Sequence, residues 1–187
     1  MIWIFAFRVF NSLIVRGYFS PDEYWQSLEV AHKLVFGYGD LTWEWDDKSL
    51  RSIIHPGIFA LLYYILSVFK LDYPWLIAYS PRLLQGCFLA ISDIFIYKSS
   101  GKTALFLSLT SWFLFYAGVR TFSNSIELTL NSIAFYLYSK NRITQWNFIV
   151  GLACMIRPTA IIIWIPYYIC ELSKGLHRFL LKTISIV

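Results

Sequence analysis

Residues 76–97 read LIAYSPRLLQGCFLAISDIFIY. As one helix, at 1.5 Å per residue, the stretch covers about 33 Å, and a bilayer's hydrocarbon core is about 30 Å thick. Its only charges are Arg82 and Asp93. That reading decides the fold class, because the rest of the chain has the same character. The 187 residues are 58% hydrophobic, 20% aromatic and 14% charged, where a soluble domain is about 45–50% apolar and about 25% charged. The apolar surplus exceeds what the core of a chain this size can hide. The expected fold is all-α, a polytopic membrane protein.

Further apolar runs are Met1–Tyr18, His55–Phe69, Thr103–Val119, Ser125–Tyr138 and Asn147–Leu172. The first is too aromatic, and too poor in small residues near its end, for a cleaved signal peptide, so it is read as a retained span. Basic residues gather between runs, in KSSGK at 98–102, KNR at 140–142 and KGLHR at 174–178. These loops are expected to be cytoplasmic by the positive-inside rule, which accounts for the net charge of +5 without invoking nucleic acid. If the N-terminus is also cytoplasmic, the first span puts Asp22 on the far side. Parity then allows one net crossing between Asp22 and Lys98. The run His55–Phe69 covers roughly 22 Å, so it is expected to dip in or lie on the surface. Arg120 to Glu127 joins Asp22 on one face. The run Asn147–Leu172 starts and ends at cytoplasmic loops, so it is expected to break at Arg157-Pro158 into two short helices, with Arg157 at the turn.

Between Phe19 and Ile54 lies the only long hydrophilic segment, where chemistry is sought first. Tyr24, Leu28, Ala31 and Val35 recur at helical spacing, so a short amphipathic surface helix is expected over Glu23–Phe36, ended by Gly37 and Gly39. Cys87, Cys154 and Cys170 sit inside apolar runs and are read as small core residues, with neither a disulfide framework nor a metal site. His32, His55 and His177 are scattered, and no metal or other cofactor is expected. The chain stops within an apolar run after Lys182, and is read as the N-terminal portion of something longer.

Each polar motif has two readings. In Ser20-Pro21-Asp22-Glu23, Ser20 suits an N-cap, Pro21 the first helical position and Glu23 the third, which is a capping box. The functional reading makes Asp22 a general base at the membrane surface, and both hold if Glu23 caps while Asp22 faces a cavity. Trp43-Glu44-Trp45 is either an interfacial tryptophan pair or an aromatic wall for a head group. Arg120 and Glu127 are either a loop ion pair or the ordering element of a site containing Asp22. Arg157 is either satisfied by backbone carbonyls or the partner of an anionic lipid, since guanidinium suits phosphate. Arg8 and Arg16 are expected to reach toward the ends of the first helix. Arg82 and Asp93 stay ambiguous.

In this order, PDEYWQSLEVAH (21–32), LTWEWDDKSLRS (41–52), RTFSNSIE (120–127) and IRPTA (156–160) resemble motifs of the dolichyl-phosphate-mannose-dependent mannosyltransferases of glycosyltransferase family 22. Within it, DEYWQSLEV and YGDLTWEW look most like the branch that adds the third mannose of the glycosylphosphatidylinositol (GPI) core. The resemblance implies a GT-C-type helix bundle in the endoplasmic reticulum membrane with a luminal active site. Residues 1–187 would be its N-terminal part: a first span over 1–18, a luminal loop with juxtamembrane helices over 19–75, and further spans over 76–187. It implies dolichyl phosphate mannose as donor, a GPI glycolipid as acceptor, and inverting transfer in one displacement. Asp22 matches the family's catalytic aspartate, with Glu23 supporting it. Arg157 is the first choice for the donor phosphate and Arg120 the second. Glu127, Gln26, Trp43, Glu44 and Trp45 would bind or shape the rest of the site. Lipid-linked N-glycan precursors are the alternative acceptor. From other classes, a transporter segment and a non-catalytic membrane subunit remain open.

Overall fold

The computed structural model describes residues 1–17, 19–46, 51–173 and 175. Readings that fall on Tyr18, Lys48, Lys174, His177 and Arg178 lie outside the described residues. Among the described residues all regular structure is helical. Nine α-helices follow in order: α1 (Ile2–Ile14), α2 (Glu29–Phe36), α3 (Trp43–Asp46), α4 (Ile54–Val68), α5 (Pro74–Thr110), α6 (Trp112–Ala117), α7 (Ser123–Ser139), α8 (Ile143–Ile156) and α9 (Ile161–Ser173). A π-turn over Tyr24–Leu28 leads into α2, and a 3-10 turn over Pro158–Ala160 joins α8 to α9.

Helices α1, α5, α7 and α8 pack in a row, each on the next, and α2 packs on α4 beside them. The close approach of α1 to α5 occurs at Gly86. A Cβ there would lie 3.0 Å from the Arg8 carbonyl oxygen and 3.3 Å from the Ser12 side chain. Ala31, Phe59, Tyr63 and Ile126 are buried together and join the α2–α4 pair to α7. Ala134, Ile143, Trp146, Val150 and Trp164 make a second core between α7, α8 and α9.

Helix α5 is two arms rather than one rod. At Gly101 the backbone takes φ 84° and ψ −169°, a region that essentially only glycine occupies. The Ser108 hydroxyl donates to Asp93 Oδ1 at 2.6 Å, whereas fifteen residues of straight helix would separate the two by about 22 Å. The chain therefore reverses at Gly101, inside the KSSGK segment. The first arm tolerates Pro81 because the carbonyl that proline leaves without its helical donor, that of Ile77, accepts the Tyr63 hydroxyl at 3.4 Å.

Several expectations change. Helix α1 ends at Ile14, and Val15 is extended. The run Thr103–Val119 is not one helix: Ser111 is extended and its hydroxyl accepts the Leu114 N–H, starting α6. Arg8 does not reach toward a helix end. It is fully buried and grips Asp93 through Nε at 2.6 Å and Nη2 at 3.2 Å, and Nη2 also donates to the Ser108 carbonyl. Buried charge is retained only when paired, and this pair ties α1 to both arms of α5. Cys170 is exposed rather than in a core. Among the described residues no helix is long and apolar enough to cross a membrane.

Candidate active site

Asp22 and Glu23 are adjacent and face opposite ways. Asp22 is exposed, while Glu23 is 1% exposed. The backbone explains the divergence. Pro21 opens a turn in which its carbonyl accepts from both Tyr24 and Trp25. The next turn is a wide one, closed by the Glu29 N–H on the Tyr24 carbonyl. Such π-turns reset the helical register, often beside functional sites.

Glu23 makes no capping box. The Ser20 hydroxyl accepts the Asp22 N–H at 3.4 Å, and the Glu23 carboxylate turns inward to Arg120, whose Nη1 donates to both of its oxygens at 3.0 Å. Arg82 stands 3.9 Å from the same carboxylate. The Thr121 hydroxyl donates to the Glu23 carbonyl. Arg120 is fully buried, also donates to the Gly17 carbonyl, and lies 4.5 Å above the Tyr116 ring. A capping carboxylate would leave this guanidinium without a counter-ion, which costs more than a cap supplies. Glu23 and Arg120 thus neutralise each other through Nη1, while Arg120 Nε and Nη2 are buried with no hydrogen-bond partner among the described residues. Arg82 completes the knot, donating to the Val15 and Gly17 carbonyls and to the Tyr24 hydroxyl.

Asp22 lines a cavity of about 330 Å³. Gln26 stands one turn on from it. The cavity is also lined by Glu44, Trp45, Arg51, Ser52 and His55. Thr121, Phe122 and Ser123 enter from the start of α7, and Arg157, Pro158 and Thr159 from the α8–α9 junction. A second cavity of about 310 Å³ shares Asp22, Gln26, Phe122 and Ser123 but has apolar walls from Phe19, Phe113, Leu114, Ala117 and Leu128. Asp22 stands where the two cavities meet.

Arg157 arrives there because of its successor. A residue before proline is pushed out of the helical region, and Arg157 sits at φ −141° and ψ 111°. Its N–H still closes α8 on the Ala153 carbonyl, while its side chain turns to the cavity. Its Nε lies 3.5 Å from Glu127, with the side chain 34% exposed. Arg120 and Glu127 are therefore not each other's partners. Each instead pairs across a longer stretch of sequence, with Glu23 and Arg157.

Glu44 and Arg51 form a fork, Nε to Oε2 at 2.6 Å and Nη2 to Oε1 at 3.2 Å. His55, 4% exposed, is held at a pKa of about 4, because burial and then the Arg51 charge disfavour its protonated form.

Of the nine residues singled out in the sequence, the cavity gathers Asp22, Gln26, Glu44, Trp45 and Arg157. It does not gather Glu23, Arg120, Glu127 or Trp43, and Trp43 is 62% exposed. Arg51 and His55 were missed. Arg51 lies in the bend just ahead of α4 and His55 in its first turn, and the only signal in the sequence was their nearness to the tryptophan motif at 43–45. Chemically, the cavity offers a carboxylate with no ion pair among the described residues, a loosely paired guanidinium, and a wall of aromatic, amide and hydroxyl groups.

The family model described as Alg9-like mannosyltransferase matches residues 1–187. GPI mannosyltransferase 3 of Schizosaccharomyces pombe is 46% identical over 187 residues, covering 87% of this chain and 37% of the relative. GPI mannosyltransferase 3 of Drosophila melanogaster is 42% identical over 182 residues, covering 95% and 32%. Human GPI alpha-1,2-mannosyltransferase 3 is 38% identical over 201 residues, covering 96% and 36%. The chain spans about a third of the length of these relatives. No solved structure gives a significant match.

Proposed function

The chain belongs to the Alg9-like mannosyltransferase family, and we propose that it carries the catalytic face of an enzyme that moves mannose from dolichyl phosphate mannose to a GPI-anchor precursor. The acceptor is the two-mannose intermediate and the new bond is α-1,2. The observation that carries the reading is the meeting of Asp22 and Arg157 in one cavity.

Transfer with inversion needs one base and one stabilised leaving group. Asp22 takes the proton of the acceptor hydroxyl as its oxygen attacks the anomeric carbon. The bond from that carbon to the phosphate oxygen breaks, and dolichyl phosphate departs with the electron pair. An alcohol is a weak acid, so the proton moves within the transition state rather than before it. Arg157 faces the departing phosphate. Its hold on Glu127 is long enough to be exchanged for a better anion, and guanidinium matches phosphate oxygens in pairs. Glu23, buried against Arg120, positions the turn that presents Asp22 and takes no part in the chemistry. The apolar second cavity offers room for a hydrocarbon segment beside the reacting carbon. We place the protein in the endoplasmic reticulum membrane, with this face luminal.

The test puts the complete open reading frame, wild-type and as Asp22→Asn, into cells lacking the third GPI mannosyltransferase. After mannose labelling, the wild-type is expected to move the block past the two-mannose species, and Asp22→Asn is expected to lose about 10²–10⁴-fold in rate. A wild-type that leaves the block in place sinks the acceptor, and lipid-linked N-glycan precursors are tried next. Rescue by both constructs removes Asp22 as the base.

A further inference from the structure

The two guanidiniums of the cavity differ in how far their charge is already spent. Arg51 holds Glu44 side-on at 2.6 and 3.2 Å, and Arg157 stands 3.5 Å from Glu127. An anion gains least at the cation whose carboxylate is tightest, so phosphate belongs at Arg157. The Glu44 side is the wrong place for net charge. It is well built for hydroxyl groups. Each Glu44 oxygen keeps acceptor capacity after receiving one guanidinium hydrogen, and Arg51 keeps donors on Nη1, which the fork does not use. The fork fixes both in one plane. His55, in the first turn of α4, lines the same cavity as Arg51, which lies in the bend ahead of that helix. The His55 imidazole is neutral at pH 7, and its Nε2 is a buried atom with no hydrogen-bond partner among the described residues. Trp45 adds an aromatic ring to this wall. Planar paired polar groups beside a ring suit a pyranose, which shows hydroxyls at its rim and C–H bonds on its face. An exposed ion pair of this kind stabilises a fold little, so stability alone does not account for it.

We propose that Glu44, Arg51 and His55, with Trp45, form a hexopyranose subsite that holds a sugar's hydroxyls in the cavity Asp22 lines, and apart from the phosphate position at Arg157. The sugar is that of the donor or the terminal one of the acceptor; the chemistry is the same. That it is mannose rests on the mannosyltransferase reading, while the division between a hydroxyl wall and a phosphate wall does not.

The test is equilibrium binding to the full-length protein in detergent, with three ligands: polyprenyl phosphate mannose, polyprenyl phosphate, and a two-mannose GPI lipid. The variants are Glu44→Gln, which keeps the shape, and the charge swap Glu44→Arg with Arg51→Glu, which keeps the ion pair. Both are expected to weaken one sugar-bearing ligand by tenfold or more and to leave polyprenyl phosphate within twofold. Loss confined to polyprenyl phosphate mannose places the donor sugar in the subsite. Loss confined to the GPI lipid places the acceptor sugar there. The inference is overturned if polyprenyl phosphate weakens as much as its mannosylated form, if no ligand weakens, or if the charge swap restores what Glu44→Gln loses, which is the behaviour of a strut. Binding without transfer by the wild-type removes the mannosyltransferase reading and leaves this comparison interpretable.

Discussion

Glu23 and Asp22 differ by one position and by everything around them. Glu23 is 1% exposed and shares its carboxylate with a fully buried Arg120. Removing one partner of such a pair leaves an uncompensated buried charge, worth about 3–5 kcal/mol. Arg120→Ala is therefore expected to lower the thermal midpoint of the full-length protein sharply. Asp22→Asn, at an exposed carboxylate, should leave it within a degree or two while transfer fails. Equal destabilisation by the two would contradict the division of labour drawn here. His55 makes a pH prediction. In the folded chain it holds off protonation until about pH 4, whereas an unfolded histidine takes its proton near 6.5. Between those values the unfolded state binds more protons, so stability rises with pH there and falls on acidification. The loss from pH 7 to 4 is roughly 3 kcal/mol. His55→Asn should flatten that slope when unfolding midpoints are compared at pH 7 and 4.5.

Two elements rest on single residues. Gly101 reverses α5 at a positive φ, and a Cβ there would meet nothing within 4 Å. The penalty of Gly101→Ala is then torsional, about 1–3 kcal/mol, with no steric part. Gly101→Ser should cost the same in a thermal unfolding comparison. A larger loss for serine would mean that space, not torsion, selects glycine. The α2–α4 pair rests on Phe59, 0% exposed among Ala31, Tyr63 and Ile126. Phe59→Ala is expected to cost about 3–5 kcal/mol. Because α4 carries His55 and follows Arg51, it should also raise KM for at least one substrate. Unchanged kinetics after that truncation would show that the wall is held from elsewhere.

At the scale of the molecule, the row α1–α5–α7–α8 places Asp22, Ser123 and Arg157 at one end, where they line one cavity. The turns at Gly101 and Asn141 close the other ends of the same helices. If the first end is luminal, the second is cytoplasmic. The chain has no N-glycosylation sequon of its own, so inserted ones report cleanly. A sequon-bearing insert at Gly39 is expected to gain an endoglycosidase-sensitive glycan in the endoplasmic reticulum, and the same insert at Asn141 is not. Glycan at the second position alone would invert the proposed topology.

Composition and apolar periodicity determined the all-helical class. Pro158 determined the break that exposes Arg157, because proline constrains its predecessor whatever the surroundings. Gly37 ended α2, in the left-handed conformation, for an equally local reason. Local chemistry could not decide the partners. Glu23 was consistent with a cap, and Arg120 with Glu127, until folding brought Glu23 and Arg120 together across 97 positions. Arg8, read locally as reaching toward a helix end, and Asp93, ambiguous in its run, meet across 85 positions. Arg51 and His55 became part of the site only when α4 packed beside α2. Ion pairing inside a protein is selected by which charges burial leaves without water, and burial belongs to the whole fold.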